Sequence, residues 1–545
     1  MSPIWKKNWK FRLLLFPLDQ IVLKRWSINT NLKYWVHRAL IGICFWTLFA
    51  IETGYAQSPF LELLPGSERM IYDENSGITR LLGGASFRYQ NSRMYCDSAH
   101  YHEQKQEVRA YGKVHINRSD TLNLFCDSMY YQGRNKLAKL WGHVRVRDRE
   151  YKLITDSLDY DAAAGRAIYR NGGTVSSLTK PEVLKSRIGY FYPKSKNLFF
   201  KGDVHLNSNE LEVRTDTLRY HYFSRTAFFY GPTNIQNGKK QLECHQGWYQ
   251  VEDEEGVAQG DAKIRDGSRL VQGDSLYFSQ KKGMTIGKGN VSYADSTEKL
   301  SFSGDHFQRD EKQGIAWLTG RALAMFRMKS EDTLFVHGDT LYARSDSLDH
   351  LRELDAFFGV KFFHKDFQGK CDSLHYDSEG DEVHFYRDPV LWADQMQLKG
   401  ERMWMTLKDS SVHRVDVREH ATAISEVDSV GYYNQIAGRE MWAYFQESKL
   451  KYVEVQGNAQ SVYFPEETKE TDSTVTIERK GMTRIYSASL KVYLDSGEVV
   501  GVTYLDKPDA VAYPLSKINK EEQYVSHFSW LPILRPRNKE AILEN

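Results

Sequence analysis

Within short stretches of this chain apolar and polar residues alternate with a period of two, and the stretches themselves recur about every thirty residues. One signature places a small residue, then Asp, then Ser or Thr, an apolar residue and, two positions later, an aromatic ring. It stands at Cys96–Tyr101, Cys126–Tyr131, Thr155–Tyr160, Thr215–Tyr220, Gly273–Phe278 and Cys371–Tyr376, with a shortened copy at Gly338–Tyr342. Degenerate copies begin at Ser186, Cys244, Gly304, Gly400, Gly438 and Ser487, giving about thirteen units.

A second signature, apolar-x-Gly-x-Val-x-apolar, lies between copies of the first at Ala110–Ile116, Leu140–Val146 and Phe200–Leu206. In it Ala110, Gly112, Val114 and Ile116 share one face, and Tyr111, Lys113 and His115 the other, as in a half-buried strand. Each unit therefore supplies at least two strands, separated by polar turns such as Gln132–Asn135. The recurrent Gly marks a bend or bulge. Helical periodicity is absent from residue 57 onward. The expected fold class is all-β, an elongated repeat solenoid whose units must stack to bury their apolar faces.

These residues resemble the OstA family, the periplasmic lipopolysaccharide-transport proteins typified by LptA and by the N-terminal domain of LptD. The family alternates an Ala-Asp-x-Leu-x-Tyr-like segment with a Gly-Asn-Val-like one, matched most closely here by Gly287–Val291. The resemblance covers roughly residues 70–512. It implies a β-jellyroll of two facing antiparallel sheets, open along one seam, whose apolar interior shelters lipid A acyl chains. The implied role is a conduit or bridge carrying lipopolysaccharide to the outer membrane. The implied partners are lipopolysaccharide and other transport components of the inner or outer membrane. The implied compartment is the periplasm, with outer-membrane association left open. The chain differs from a short LptA-like bridge in its greater number of units, and from LptD in having no barrel sequence after them.

The aromatic and leucine column supplies the candidate groove: Leu158, Tyr160, Leu218, Tyr220, Leu276, Phe278, Leu374 and Tyr376. Taken one by one, each reads first as ordinary core packing, with groove contact the alternative.

Residues 1–56 read as leader and signal peptide. Ala39–Ile51 is too short to span a bilayer as a helix, and Gly54-Tyr55-Ala56 places small residues before a cut between Ala56 and Gln57. Residues 57–330 form the regular part of the array, 331–513 a part with insertions, and 514–545 a tail. The charged stretch Pro465–Lys480 reads as a long hairpin or loop. The aromatic-apolar segment Phe528–Pro536 either packs back on the last unit or docks on a partner.

A hydrophobic content of 41%, an aromatic content of 13% and only 13 Pro exclude a disordered or collagen-like chain. A net charge of +2 carries no signature for nucleic acid. Nucleotide, nucleophile-elbow and zincin motifs are missing, so no enzyme, cofactor or metal site is expected. The signature aspartates (Asp97, Asp127, Asp156, Asp216, Asp274, Asp305, Asp339, Asp372) are expected to cap their own turns, a calcium ladder being the rival. Cys96, Cys126, Cys244 and Cys371 share one repeat position. Cys96 and Cys126 can pair only if a unit advances little, and otherwise serve as small buried residues. The rival function is a cell-surface structural or carbohydrate-binding β-solenoid.

Overall fold

The computed structural model describes residues 61–544, apart from 90, 119–121, 148, 150, 162, 180, 193–194, 196, 209–210, 222, 251, 329–331, 409–410, 428–430, 447–448, 472–473, 480 and 496–497. The expected leader and the cut between Ala56 and Gln57 lie outside these residues. Among the described residues there is no α-helix. Antiparallel neighbours build one sheet of 34 strands, and Glu466–Thr471 pairs with Thr474–Arg479 as a separate hairpin, within the stretch where one was expected.

Most strands are 11 to 16 residues long and bend once near the middle, so each runs through both of two facing layers. The bend is written in two consecutive residues. In Leu137–Arg147, Gly142 and His143 have φ of 75° and 48°; the same pair of left-handed residues occurs at Gly112–Lys113, Gly260–Asp261, Gly289–Asn290 and Gly320–Arg321. Left-handed backbone suits Gly, which has no Cβ to clash. The ladder slips register at the bend, between Phe125 and Ser128 on the preceding strand. Apolar residues then point inward on both sides of it, Leu140 in one layer and Val144 in the other.

The two signatures are the two sides of this bend. Asp127 lies directly over Gly142, where a β-carbon would stand 2.3 Å from its Oδ2, and His143 Nδ1 is 2.7 Å from the same oxygen. Asp305 likewise covers Gly320 and pairs with Arg321 at 2.6 Å, and Asp274 covers Gly289 and takes Asn290 at 3.2 Å. Asp216 and Asp339 instead accept the hydroxyls of Thr217 and Thr340 on their own strands. The bonds of Asp127, Asp274 and Asp305 run to the next strand, which corrects for these three the expectation that the signature aspartates cap their own turns. That chemistry belongs to a second set at strand ends: Asp73, Asp161, Asp310 and Asp377 accept the N–H of Asn75, Ala164, Lys312 and Glu379.

One repeat unit advances two strands. Cys96 on Ser92–His102 and Cys126 on Leu122–Gln132 are separated by Glu107–Arg118, hence by about 9.6 Å of ladder, beyond the ~7 Å a disulfide spans. Cys96, Cys126, Cys244 and Cys371 are all free and buried.

The layer after the bend of Leu122–Gln132 is termed the front layer, and the other the back layer. Among the described residues six rungs are each two short strands, as where Arg166–Tyr169 and Gly173–Ser177 both pair with Tyr151–Asp161. The tail folds back over the outer face of the back layer and passes well beyond the last unit. Gln435 donates to the Gln523 carbonyl at 2.9 Å and accepts the Val525 N–H at 3.0 Å. Six residues further, Gln397 does the same with the Ser529 carbonyl and the Leu531 N–H. Arg535 reaches Gln368, and Lys361 donates to the Glu544 carbonyl.

Candidate functional site

In the front layer one inward row can be followed from strand to strand by cross-strand pairing: Ala99, Ala110, Met129, Leu140 and Leu158, and further on Leu218, Phe229, Gly247, Ala258 and Leu276. Gly247 and Ala258 are adjacent small residues between Phe229 and Leu276. Gly247 is fixed by close approach, since a β-carbon there would stand 2.3 Å from the Val257 carbonyl oxygen. The packing records the lost volume. Buried side chains between the layers form two separate groups, one from Leu61 to Phe229 and one from Cys244 to Leu494.

A cavity of about 270 Å³ opens at this break. A single water needs only ~10–15 Å³ on this measure. Its walls are apolar: Leu206, Val213, Ile235 and Val271 from the back layer, Leu218, Phe229, Tyr249 and Phe278 from the front. Tyr249 and Phe278 stack at 6.2 Å between centroids. Its rims, where the two rows of turns face each other along the seam, are polar, with Lys240, Asp266 and Arg269 on one side and Glu254, Gln280 and Glu311 on the other.

Of the eight groove candidates, Leu218 and Phe278 line this cavity. Leu158, Tyr220, Leu276 and Leu374 are buried in the interlayer core, and Tyr160 and Tyr376 are partly buried against it. All eight lie in the front layer, so the back-layer wall was missed entirely. A partial signal was Gly247, standing in the copy Cys244–Tyr249 where most other copies carry Leu, Met or Phe, although Ala99 and Gly189 hold the same position in theirs.

Electrostatics concentrate at one end of the cavity. Arg309 donates to the Tyr293 hydroxyl at 2.6 Å and pairs with Asp349 at 2.8 Å; Arg269 pairs with Asp349 at 2.6 Å and Asp295 at 3.2 Å. Burial favours a protonated Asp295, but the Thr297 N–H, Arg269 and Ser268 bond its charged form and hold it below the usual carboxylate range. Among the described residues no three His, Cys, Asp or Glu side chains gather as metal ligands, and no helix is long and apolar enough to cross a membrane.

With this geometry in hand, the sequence model of the family described as OstA-like protein matches residues 66–216. The chain carries an OstA-like repeat. The matched segment holds the bends at Gly83, Gly112, Gly142 and Gly202 and ends as the cavity begins. A solved structure similar to part of the chain is LptH, the LptA-homologous periplasmic component of the conserved lipopolysaccharide transport device of Pseudomonas aeruginosa. The two share 13% identity over 27% of this chain and 82% of that one, with a TM-score of 0.15. No curated protein matches the chain. The all-β, OstA-like fold expected from the repeats is the fold observed.

Proposed function

We propose that this chain is a periplasmic conduit or bridge for lipopolysaccharide on its way to the outer membrane, holding lipid A acyl chains in the cavity between its layers. The observation that carries the reading is the apolar cavity between Leu218 and Phe278, open to a polar seam, at the break between two groups of buried side chains. Apolar walls with a polar rim suit an amphiphile, whose chains leave water while its headgroup stays in it. Catalysis has no part in the reading. Transport components of the inner or outer membrane are the proposed partners.

A photo-crosslinking amino acid at Phe278 should capture lipopolysaccharide in cells, and one at Leu140, in the filled part of the core, should not. Filling the cavity is the complementary test. Ala227 lines it, so Ala227→Phe should reduce co-purified lipopolysaccharide while leaving the melting temperature unchanged or raised. The same change at Ala99, fully buried in the packed region, should destabilise by about 1–3 kcal/mol through overpacking. Parent protein that carries no lipopolysaccharide would reject the conduit.

A second reading, a carbohydrate-binding surface solenoid, is favoured by one observation. Tyr111 and Trp141 are exposed and both flank Ser128, so two aromatic faces stand on one outer surface. Loss of glycan binding in Tyr111→Ala, together with a parent free of lipid, would bring that reading forward.

A further inference from the structure

The cavity ends on two arginines that reach the seam from opposite sides. Arg269 opens the strand Arg269–Ser279 in the back layer, and Arg309 stands one residue from the end of Leu300–Asp310 in the front layer. Between them lies Asp349, in the turn 346–350 that follows Thr333–Ser345. This turn folds across the seam: Asp349 takes Arg269 at 2.6 Å and Arg309 at 2.8 Å, and His350 stands 3.9 Å from Glu298 of the back layer. The two layers are thereby clasped at the end of the cavity.

The two carboxylates of the clasp differ in how firmly they are held. Asp295 is 6% exposed and has Ser268 and the Thr297 N–H as further partners. Among the described residues, the Asp349 carboxylate is bonded by the two arginines alone, and it is 26% exposed. Two guanidinium groups converging on one oxyanion match a phosphate as well as a carboxylate, because each presents a planar fork of donors. Arg309 is also pinned from behind by the Tyr293 hydroxyl, so it stays in place when its carboxylate leaves.

We propose that Arg269 and Arg309 form an oxyanion site at the cavity mouth, which takes the phosphate of an amphiphile whose acyl chain lies in the cavity, in exchange for Asp349. This rests on the reading of the cavity as an acyl-chain site. Exchange would release the turn 346–350 from the seam. Tyr293 and Arg309 line both the cavity and a smaller void of about 30 Å³ beyond it, so the released clasp would join the two.

The test uses the full chain and three probes: dodecyl phosphate, dodecyl maltoside and inorganic phosphate, with binding followed by calorimetry below the micelle concentration. Dodecyl phosphate should bind the parent and lose at least about tenfold in affinity in Arg269→Gln/Arg309→Gln, the loss expected of charge-assisted hydrogen bonds. Asp349→Asn, which removes the competing charge, should gain affinity for it. Dodecyl maltoside should bind parent and both variants equally. Equal binding of dodecyl phosphate by parent and double variant, with the maltoside still bound, would reject the oxyanion site and leave the cavity reading standing. Failure of both detergents to bind the parent would remove the cavity reading and the proposal with it. Inorganic phosphate binding as tightly as dodecyl phosphate would reject the amphiphile as ligand. Because Asp349→Asn and the double variant move affinity in opposite directions, a folding defect in one does not imitate the result.

Discussion

Asp274 covers Gly289 so closely that a β-carbon on the glycine would lie 2.2 Å from the carboxylate oxygen. The bend therefore asks for glycine twice, once for its φ of 71° and once for the side chain above it. Gly238 has a similar φ of 58° in a hairpin turn but nothing near its missing β-carbon. Gly238→Ala should therefore cost only the backbone term, about 1–2 kcal/mol. Gly289→Ala should cost more, and Asp274→Ala in the same chain should recover the excess. Urea midpoints of the three variants decide the matter; equal losses for the two glycines would show that the carboxylate contributes nothing.

The four described cysteines should be inert in the folded protein. Burial pushes the thiols of Cys96 and Cys244 up to about 11 and those of Cys126 and Cys371 up to about 12, so almost no thiolate is present at pH 8. Iodoacetamide should leave all four unmodified natively and alkylate all four in denaturant without reductant. A Cys96–Cys126 cross-link in the unreduced peptide map would contradict the two-strand advance of each unit.

Much of this architecture is legible along the chain, and the reasons for the remainder are physical. The period of two and the thirty-residue recurrence report local backbone geometry, so strands and stacking follow directly from them. Asp127 and Gly142 were both visible as recurrent residues, but only pairing between neighbouring strands shows that one sits on the other. The cavity is a property of volume summed over facing layers. Gly247 is one of several small residues at its repeat position, with Ala99 and Gly189, and nothing local revealed that Ala258 would be its neighbour. The clasp joins Arg269 to a turn eighty residues away, and no periodicity marks Asp349. For the tail, an apolar-aromatic run signalled burial but not its surface, because the receiving groups are glutamine side chains spread over separate strands.

The fold-back of the tail depends on those side chains. Gln435→Leu should leave the Gln523 carbonyl and the Val525 N–H without partners, at about 1–3 kcal/mol for each buried group. Hydrogen exchange at Val525 and Leu531 should accelerate, with the strands from Ser92 to Asp161 unaffected. Unchanged protection at Val525 would mean that packing of its side chain against Ala437 and Val462 holds the segment without the amide.

His364 should tie stability to pH. Its ring is buried, and burial lowers its affinity for a proton, an effect that Asp366 and Asp332 only partly offset. The unfolded chain then binds more protons than the folded one below the ordinary histidine value of about 6.5. Its contribution is complete above that pH and erodes as pH falls through it. Between pH 7 and 5 the urea midpoint of His364→Asn should fall less than that of the parent. Parallel curves would show that the ring is not neutral in the fold.

The interior does not run unbroken from end to end. Between Phe229 and Cys244 the contact of buried side chains is interrupted, while backbone pairing from Thr226–Asn237 to Lys240–Gln250 continues. In a stacked array stability is passed from neighbour to neighbour, so a weak interface divides the chain into cooperative blocks. The molecule is then two folding units sharing one ladder. Tyr249, which packs against the first group and stacks on Phe278, is a thin apolar link between the blocks, and an occupant of the gap, by touching both, would strengthen it and make them unfold together.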